Sequence, residues 1–220
     1  HEPHAIEMPD GRIVGIIRAQ GPGVAHGFTM YQSESTDGGY TWSLMQPMDV
    51  SGSPPHLMLH SSGALICSFG RREDPCGERA MISYDGGESW SEPRIIANAS
   101  DFGVQNVMSV SALILTDGVL AFYFLIKEND GTSTLGRTVS RDGGKTFTPE
   151  RTVWDVPSAY YVINNDRVIR MSNGRLIVPA AHHPSAMGLY GKEACDGRAT
   201  AGFYASDDDG DTWYRIAEDM

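Results

Sequence analysis

The sequence has little of what membrane spans, nucleic-acid surfaces or disulfide frameworks require. No apolar run nears the ~18 residues of a membrane helix. The longest, around Leu113 to Ile126, is broken by Thr116, Asp117 and Gly118. Positive charge is short: 17 Lys and Arg stand against 28 Asp and Glu, a formal charge of −11. Such a chain repels phosphate backbones, so no nucleic-acid partner is expected. The three cysteines, Cys67, Cys76 and Cys195, are an odd number without a C-x-x-C pair. That argues against a disulfide scaffold or zinc ribbon and for free thiols. No basic-then-apolar leader opens the chain, so a signal peptide is either lacking or lies before His1. A helical period of useful length is missing as well.

What the chain has is turn chemistry. Its 220 residues carry 25 Gly and 12 Pro, with 40% hydrophobic residues, enough to bury a core between many short connections. Four stretches share one pattern, S-x-D-x-G-x-[TS]-[WF]: Ser35–Trp42, Ser83–Trp90, Ser140–Phe147 and Ser206–Trp213. An Asp before glycine caps nearby backbone N–H groups, and glycine accepts positive φ. Asp37, Asp85, Asp142 and Asp208 are therefore read as structural turn residues. The run Asp207, Asp208, Asp209, Asp211 lacks the alternating ligands and distal Glu of a calcium loop, so it is the fourth box with extra solvated charge. No metal or other cofactor is expected.

A second repeat interleaves with the first. Each unit pairs two apolar strands across an Asp-Gly, Ser-Gly or Asn-Gly turn, with the turn glycines at 11, 63, 118 and 174. The intervals are 52, 55 and 56 residues. Hairpins repeating at that period predict an all-β fold, a β-propeller of four-stranded antiparallel blades. The blades fall at approximately 1–50, 51–103, 104–158 and 159–220, in a single propeller domain. With strands A and B around the first turn and C and D around the Asp-rich one, both turns lie at one end of each blade. The start of A, the end of B and the B–C loop gather at the other end, where propellers place ligands.

The S-x-D-x-G-x-T-W repeats resemble the Asp boxes, or BNR repeats, of the bacterial sialidase (neuraminidase) superfamily, over essentially the whole chain. The opening stretch from Glu2 to Arg18, EPHAIEMPDGRIVGIIR, is similar to the sialidase blade in which a Glu starts strand A and an Arg ends strand B. That resemblance implies that Glu2 activates the nucleophile and that Arg18 is one of three arginines clamping a substrate carboxylate. The chemistry is coherent, because planar guanidinium groups hold a carboxylate bidentately, and sialidases depart from the two-carboxylate rule of glycosidases. The resemblance also implies a bacterial protein, secreted or periplasmic. Where sialidases place the tyrosine nucleophile, eight residues before Asp117, this chain has Ser109. The acid/base aspartate and the first arginine of the sialidase pattern would precede His1, and Arg79 on strand C is the candidate for the third.

The strand ends supply further candidates for the ligand face. Arg71 and Arg72 follow the second strand B, His182 and His183 follow the fourth, and Asp166, after Asn164 and Asn165, leads into the fourth strand A. A histidine pair suits acid/base work near neutral pH. Adjacent residues of a strand point apart, which disfavours the pair as metal ligands. The fourth B–C loop, within His182–Thr200, is about ten residues longer than the others and overhangs that face. The expected function is a sialidase-like exo-glycosidase acting on acidic glycans, sialylated or uronic-acid-containing. The alternatives are a noncatalytic glycan- or protein-binding propeller and a polysaccharide lyase or hydrolase on the same scaffold. Four blades averaging about 54 residues fall short of the roughly 320 residues that six sialidase blades need. The expectation is a fragment missing about two blades, or a four-bladed or assembled variant, and an incomplete sialidase site in this piece alone.

Overall fold

The computed structural model describes residues 2–183 and 198–216. By contact the chain divides into two compact units, 1–96 and 97–220.

In the first unit, β1 (His4–Glu7), β2 (Ile13–Gln20), β3 (Phe28–Ser35) and β4 (Gln46–Pro47) form one antiparallel sheet in chain order. A second sheet follows, β5 (Pro55–Leu59), β6 (Leu65–Arg71), β7 (Gly77–Ser83) and β8 (Arg94–Asn98), the unit ending inside β8. Between these sheets Val14, Ile16 and Met30 pack on Leu57, Cys67, Phe69 and Met81, all nearly inaccessible. Every second residue of β2 and β6 thus faces the shared core, as the two-residue period of a strand requires.

The second unit begins with a short 3₁₀ turn, Ala99–Phe102, and a third sheet of β9 (Asn106–Ile114), β10 (Leu120–Asn129), β11 (Thr132–Ser140) and β12 (Thr148–Arg151). Next comes β13 (Val153–Asp155), which the sequence places in the third blade but which pairs in parallel with the last strand of the fourth sheet. The inner strand of that sheet is split into β14 (Tyr160–Val162) and β15 (Ile169–Arg170), both antiparallel to β16 (Leu176–His183). β17 (Thr200–Ser206) and β18 (Thr212–Arg215) complete it. The split follows from a hook: Asp166 takes a left-handed φ of 56°, and its N–H donates to the Val110 carbonyl at 3.2 Å. Beyond it, the Arg167 N–H donates to Ser111 Oγ at 3.0 Å. Tyr123, Tyr161, Tyr204 and Trp213 fill this unit's core.

All four sheets are built on the same two turns. At the first, the turn-glycine N–H donates 2.9 Å to the carbonyl three residues back, from Gly11 to Met8, Gly63 to His60, Gly118 to Leu115 and Gly174 to Met171. At the second, the box Ser hydroxyl donates to the Asp Oδ1 at 2.7–2.9 Å. That oxygen also accepts an N–H four residues on, at 2.9 Å each from Thr41, Ser89, Thr146 and Thr212. The box carboxylates are thus bound by their own loops. Asp37 is held down at about 2, chiefly by the Thr41 hydroxyl, and Asp85 and Asp142 lie lower still for the same reason.

Candidate functional site

The ends of β1, β2, β3 and β6 that lie away from the Asp boxes bring charged side chains of the first unit together. Arg18, third from the end of β2, ion-pairs with Glu2 and donates to Gln20. Its guanidinium carbon lies 5.3 Å from the ring centre of Phe28, the first residue of β3. Arg72, just past β6, approaches that ring to 5.2 Å. Two cations thus converge on one aromatic ring, the arrangement in which ring quadrupole and guanidinium attract. Side-chain exposure is 14% for Arg18 and 49% for Glu2, so the arginine is fixed while the carboxylate stays accessible. Glu2 itself has a left-handed φ of 44°.

The support beneath this platform is backbone. The Gly52 N–H donates to the Phe28 carbonyl at 3.1 Å and the Ser53 N–H to the Gly70 carbonyl at 2.8 Å, which ties the two sheets at this end. Arg71 closes β6 with its Nε buried and without a hydrogen-bond partner. Arg79 does not join the platform. It is 5% exposed, and it donates to the Glu78 carbonyl at 2.9 Å and the Pro75 carbonyl at 3.0 Å, bracing the loop that carries Arg72. Sequence parity pointed to Arg79, but its neighbour Glu78 is the more telling residue. Glu78 is 0% exposed, and neither carboxylate oxygen has a hydrogen-bond partner. It lies over Gly70, where a Cβ would sit 3.7 Å from Oε2. Burial pushes its pKa up to about 8, with Arg79 and Arg72 pulling the other way. Burial thus favours the protonated, neutral form, which cancels less of the charge of the cations beside it.

The other sequence candidates belong to the second unit. His182 pairs across the sheet with Tyr161 and stacks on it at 5.2 Å; burial, Arg215 and His183 all lower its pKa. His183 points to the other face, 8% exposed, with Nδ1 unbonded and its ring 6.5 Å from that of Tyr160. Asp166 serves in the hook onto β9. Ser109 has a φ of 70° and occupies a bulge in β9, between the pairs Met108–Leu125 and Ser111–Tyr123. No hydrogen bond joins it to a histidine among the described residues. The acidic run is consumed locally: Asp207 accepts from Arg175 at 2.7 Å, Asp209 pairs with Arg170 at 2.6 Å, and Asp211 pairs with Arg137. Cys67 and Cys76 are free thiols. Cys195 and most of the long fourth B–C loop lie outside the described residues. No group of three His, Cys, Asp or Glu among the described residues could hold a metal ion.

Sequence reasoning missed Phe28 and Glu78. The signal for Phe28 was present: it closes the glycine-rich segment GPGVAHG at the B–C loop. Nothing local distinguishes Glu78 from a surface glutamate.

The BNR repeat-like domain family matches residues 78–219, and a single BNR/Asp-box repeat matches residues 34–44. No curated protein sequence matches the chain. Among solved structures, the GH93 α-L-arabinofuranosidase of Fusarium graminearum, in complex with arabinobiose, is 15% identical over 99% of this chain and 66% of its own, with a TM-score of 0.68. The Hadza microbial sialidase Hz136 is 18% identical over 100% of this chain and 47% of its own, at 0.54. A polysaccharide lyase of family PL25, an ulvan lyase, is 11% identical over 99% and 55%, at 0.57. At such identities the likeness is one of fold. The chain spans between 47% and 66% of the length of these structures.

Proposed function

Because the chain belongs to the BNR repeat-like domain family, in the sialidase-like propeller superfamily, we propose that it forms part of a glycoside hydrolase that binds acidic glycans on the Arg18–Phe28–Arg72 platform. The observation that carries this reading is the convergence of two guanidinium groups on one ring, with Glu2 paired to one of them. A sugar carboxylate bound there accepts charge-assisted hydrogen bonds from Arg18 and Arg72. Phe28 holds both guanidinium groups, their carbons 5.3 and 5.2 Å from its ring centre. Because burial favours the neutral form of Glu78, more of the positive potential is preserved for the ligand.

Hydrolysis passes through an oxocarbenium-like state: the glycosidic C–O bond breaks, the departing oxygen takes its proton from solvent, and Glu2 takes the proton of the nucleophile that bonds to the anomeric carbon. That nucleophile is water in this reading, since Ser109 has no histidine to activate it. A second reading, glycan binding without turnover, is favoured by the same serine.

The test is turnover of fluorogenic sialosides and glucuronides, beside binding of sialyllactose and lactose, all with the full chain. Glu2→Gln is expected to lower turnover at least 100-fold, in the range for removal of a general base. Arg18→Ala is expected to weaken sialyllactose binding roughly 10- to 100-fold, the loss of one charge-assisted bond, and to leave lactose unaffected. Acidic-glycan binding without turnover selects the second reading. Equal losses for charged and neutral sugars overturn both.

A further inference from the structure

The first unit holds a second opening, well away from the platform. It is a groove of about 710 Å³ between the outer part of the first sheet and the Asp box of the second, within the ~300–1,000 Å³ range of small-molecule sites. Gln32 and Glu34 on β3 line it, four and six residues along the strand from Phe28, or roughly 13–20 Å at the rise of a strand. Its far wall is the box segment that ends in Trp90.

The groove is preorganised by one side chain. Gln32 Oε1 accepts the Trp90 indole N–H at 2.9 Å, while Gln32 Nε2 donates to the Gly87 carbonyl at 2.9 Å and to Glu34 Oε1 at 3.1 Å. The indole is thereby fixed as an apolar wall. Leu44, 84% exposed, stands on the other side. Glu34 Oε1 is occupied by Gln32 and by Arg12 at 2.9 Å, which leaves Oε2 as an acceptor. Gln46 and Glu88 add further polar groups at the rim.

An apolar wall facing carboxylate and amide groups matches a sugar ring, which has a C–H face and hydroxyl edges. With Glu34 paired to Arg12, Glu88 at the rim and no lysine or arginine lining the groove, the site favours a neutral ligand over an anionic one. We infer that this groove binds a neutral oligosaccharide, as an attachment site separate from the acidic-glycan platform. The inference shares with the proposed function only the premise that the protein handles glycans.

The experiment titrates the full chain with a panel of neutral oligosaccharides (arabino-, xylo- and cello-oligosaccharides), read by calorimetry and by saturation-transfer NMR. The expected result is binding of at least one of them. Leu44→Ala and the double variant Gln46→Ala/Glu88→Ala are each expected to weaken it 5-fold or more with an unchanged melting temperature, all three side chains being exposed. Arg18→Ala/Arg72→Ala is expected to leave it unchanged and to abolish only acidic-glycan binding. The inference is overturned if no neutral oligosaccharide binds, if the groove variants bind as the wild type does, or if the arginine variant loses the neutral ligand. The arginine variant thus separates failure of this inference from failure of the platform.

Discussion

Replacing Glu78 by Gln keeps the shape of the side chain and removes its titration. In the folded protein the carboxyl is fully buried without a hydrogen-bond partner, and its pKa stands at about 8 against an ordinary 4.5. In the unfolded chain it ionises near the ordinary value. Between these pH values the unfolded state has released a proton that the folded state retains, so stability must fall as pH rises from about 4.5 to about 8 and level off above that. At about 1.4 kcal/mol for each tenfold change, the full effect is on the order of 5 kcal/mol. Glu78→Gln removes this slope. The two proteins should differ little at pH 5, while at pH 8.5 the variant should be the more stable by several kcal/mol. The assay is urea unfolding followed by circular dichroism at half-unit pH steps from 4.5 to 9, with the same denaturant slope in both proteins as the check on two-state behaviour. Parallel stability curves for wild type and variant across that range would refute the reasoning. They would mean that Glu78 is charged in the folded state and paired or solvated.

Two other perturbations test the frame that holds the sites. Gly210 has a φ of 88°, and a Cβ there would lie 2.2 Å from the Tyr123 hydroxyl oxygen; Gly210→Ala should cost about 3 kcal/mol or more, combining left-handed strain with overpacking, as read by chemical denaturation. Asp37 has a folded pKa of about 2, below its ordinary 3.8, so its stabilising contribution is present above about pH 4 and is lost as pH falls towards 2. Thr41→Ala should move the Asp37 titration, followed by carboxyl NMR, upwards towards its ordinary value; an unmoved midpoint would show that the Thr41 hydroxyl is not the cause.

The parts of this fold that were legible in the sequence are those fixed by near neighbours. Each Asp box is closed by hydrogen bonds spanning two to four residues, and each hairpin glycine by a bond spanning three. Both leave a fixed residue pattern at a fixed spacing. The Glu2–Arg18 pair was legible for a similar reason, since it joins the two ends of one hairpin. Arg72 was readable as a strand-end cation, but its partner was not: the stacking on Phe28 joins residues 44 positions apart across two sheets. Glu78 was hidden for a different reason. Its protonation depends on how completely the fold excludes water, and no local pattern encodes that. Alternation along β7 favoured Arg79 for the ligand face. What it could not convey is that the guanidinium donates to the carbonyls of Glu78 in the same strand and Pro75 in the adjoining loop. In the second unit, the split of the fourth inner strand depends on Ser111, 56 residues before the Arg167 N–H that it accepts.

The displaced strand β13 has a consequence for how the protein survives in a crowded solution. A sheet that ends in an unpaired strand offers a row of vacant donors and acceptors to any extended peptide, including another copy of itself. Here three residues of the preceding connection lie alongside β18, and the Val153 N–H donates to the Asp211 carbonyl at 2.7 Å. The edge of β18 is therefore covered by the chain's own polypeptide in parallel orientation, and the sheet's border becomes the three-residue β13. At the opposite extreme, β4 is only two residues long, too short a template to recruit a partner. Both borders end in a strand of two or three residues, the same safeguard against edge-to-edge aggregation reached by two routes.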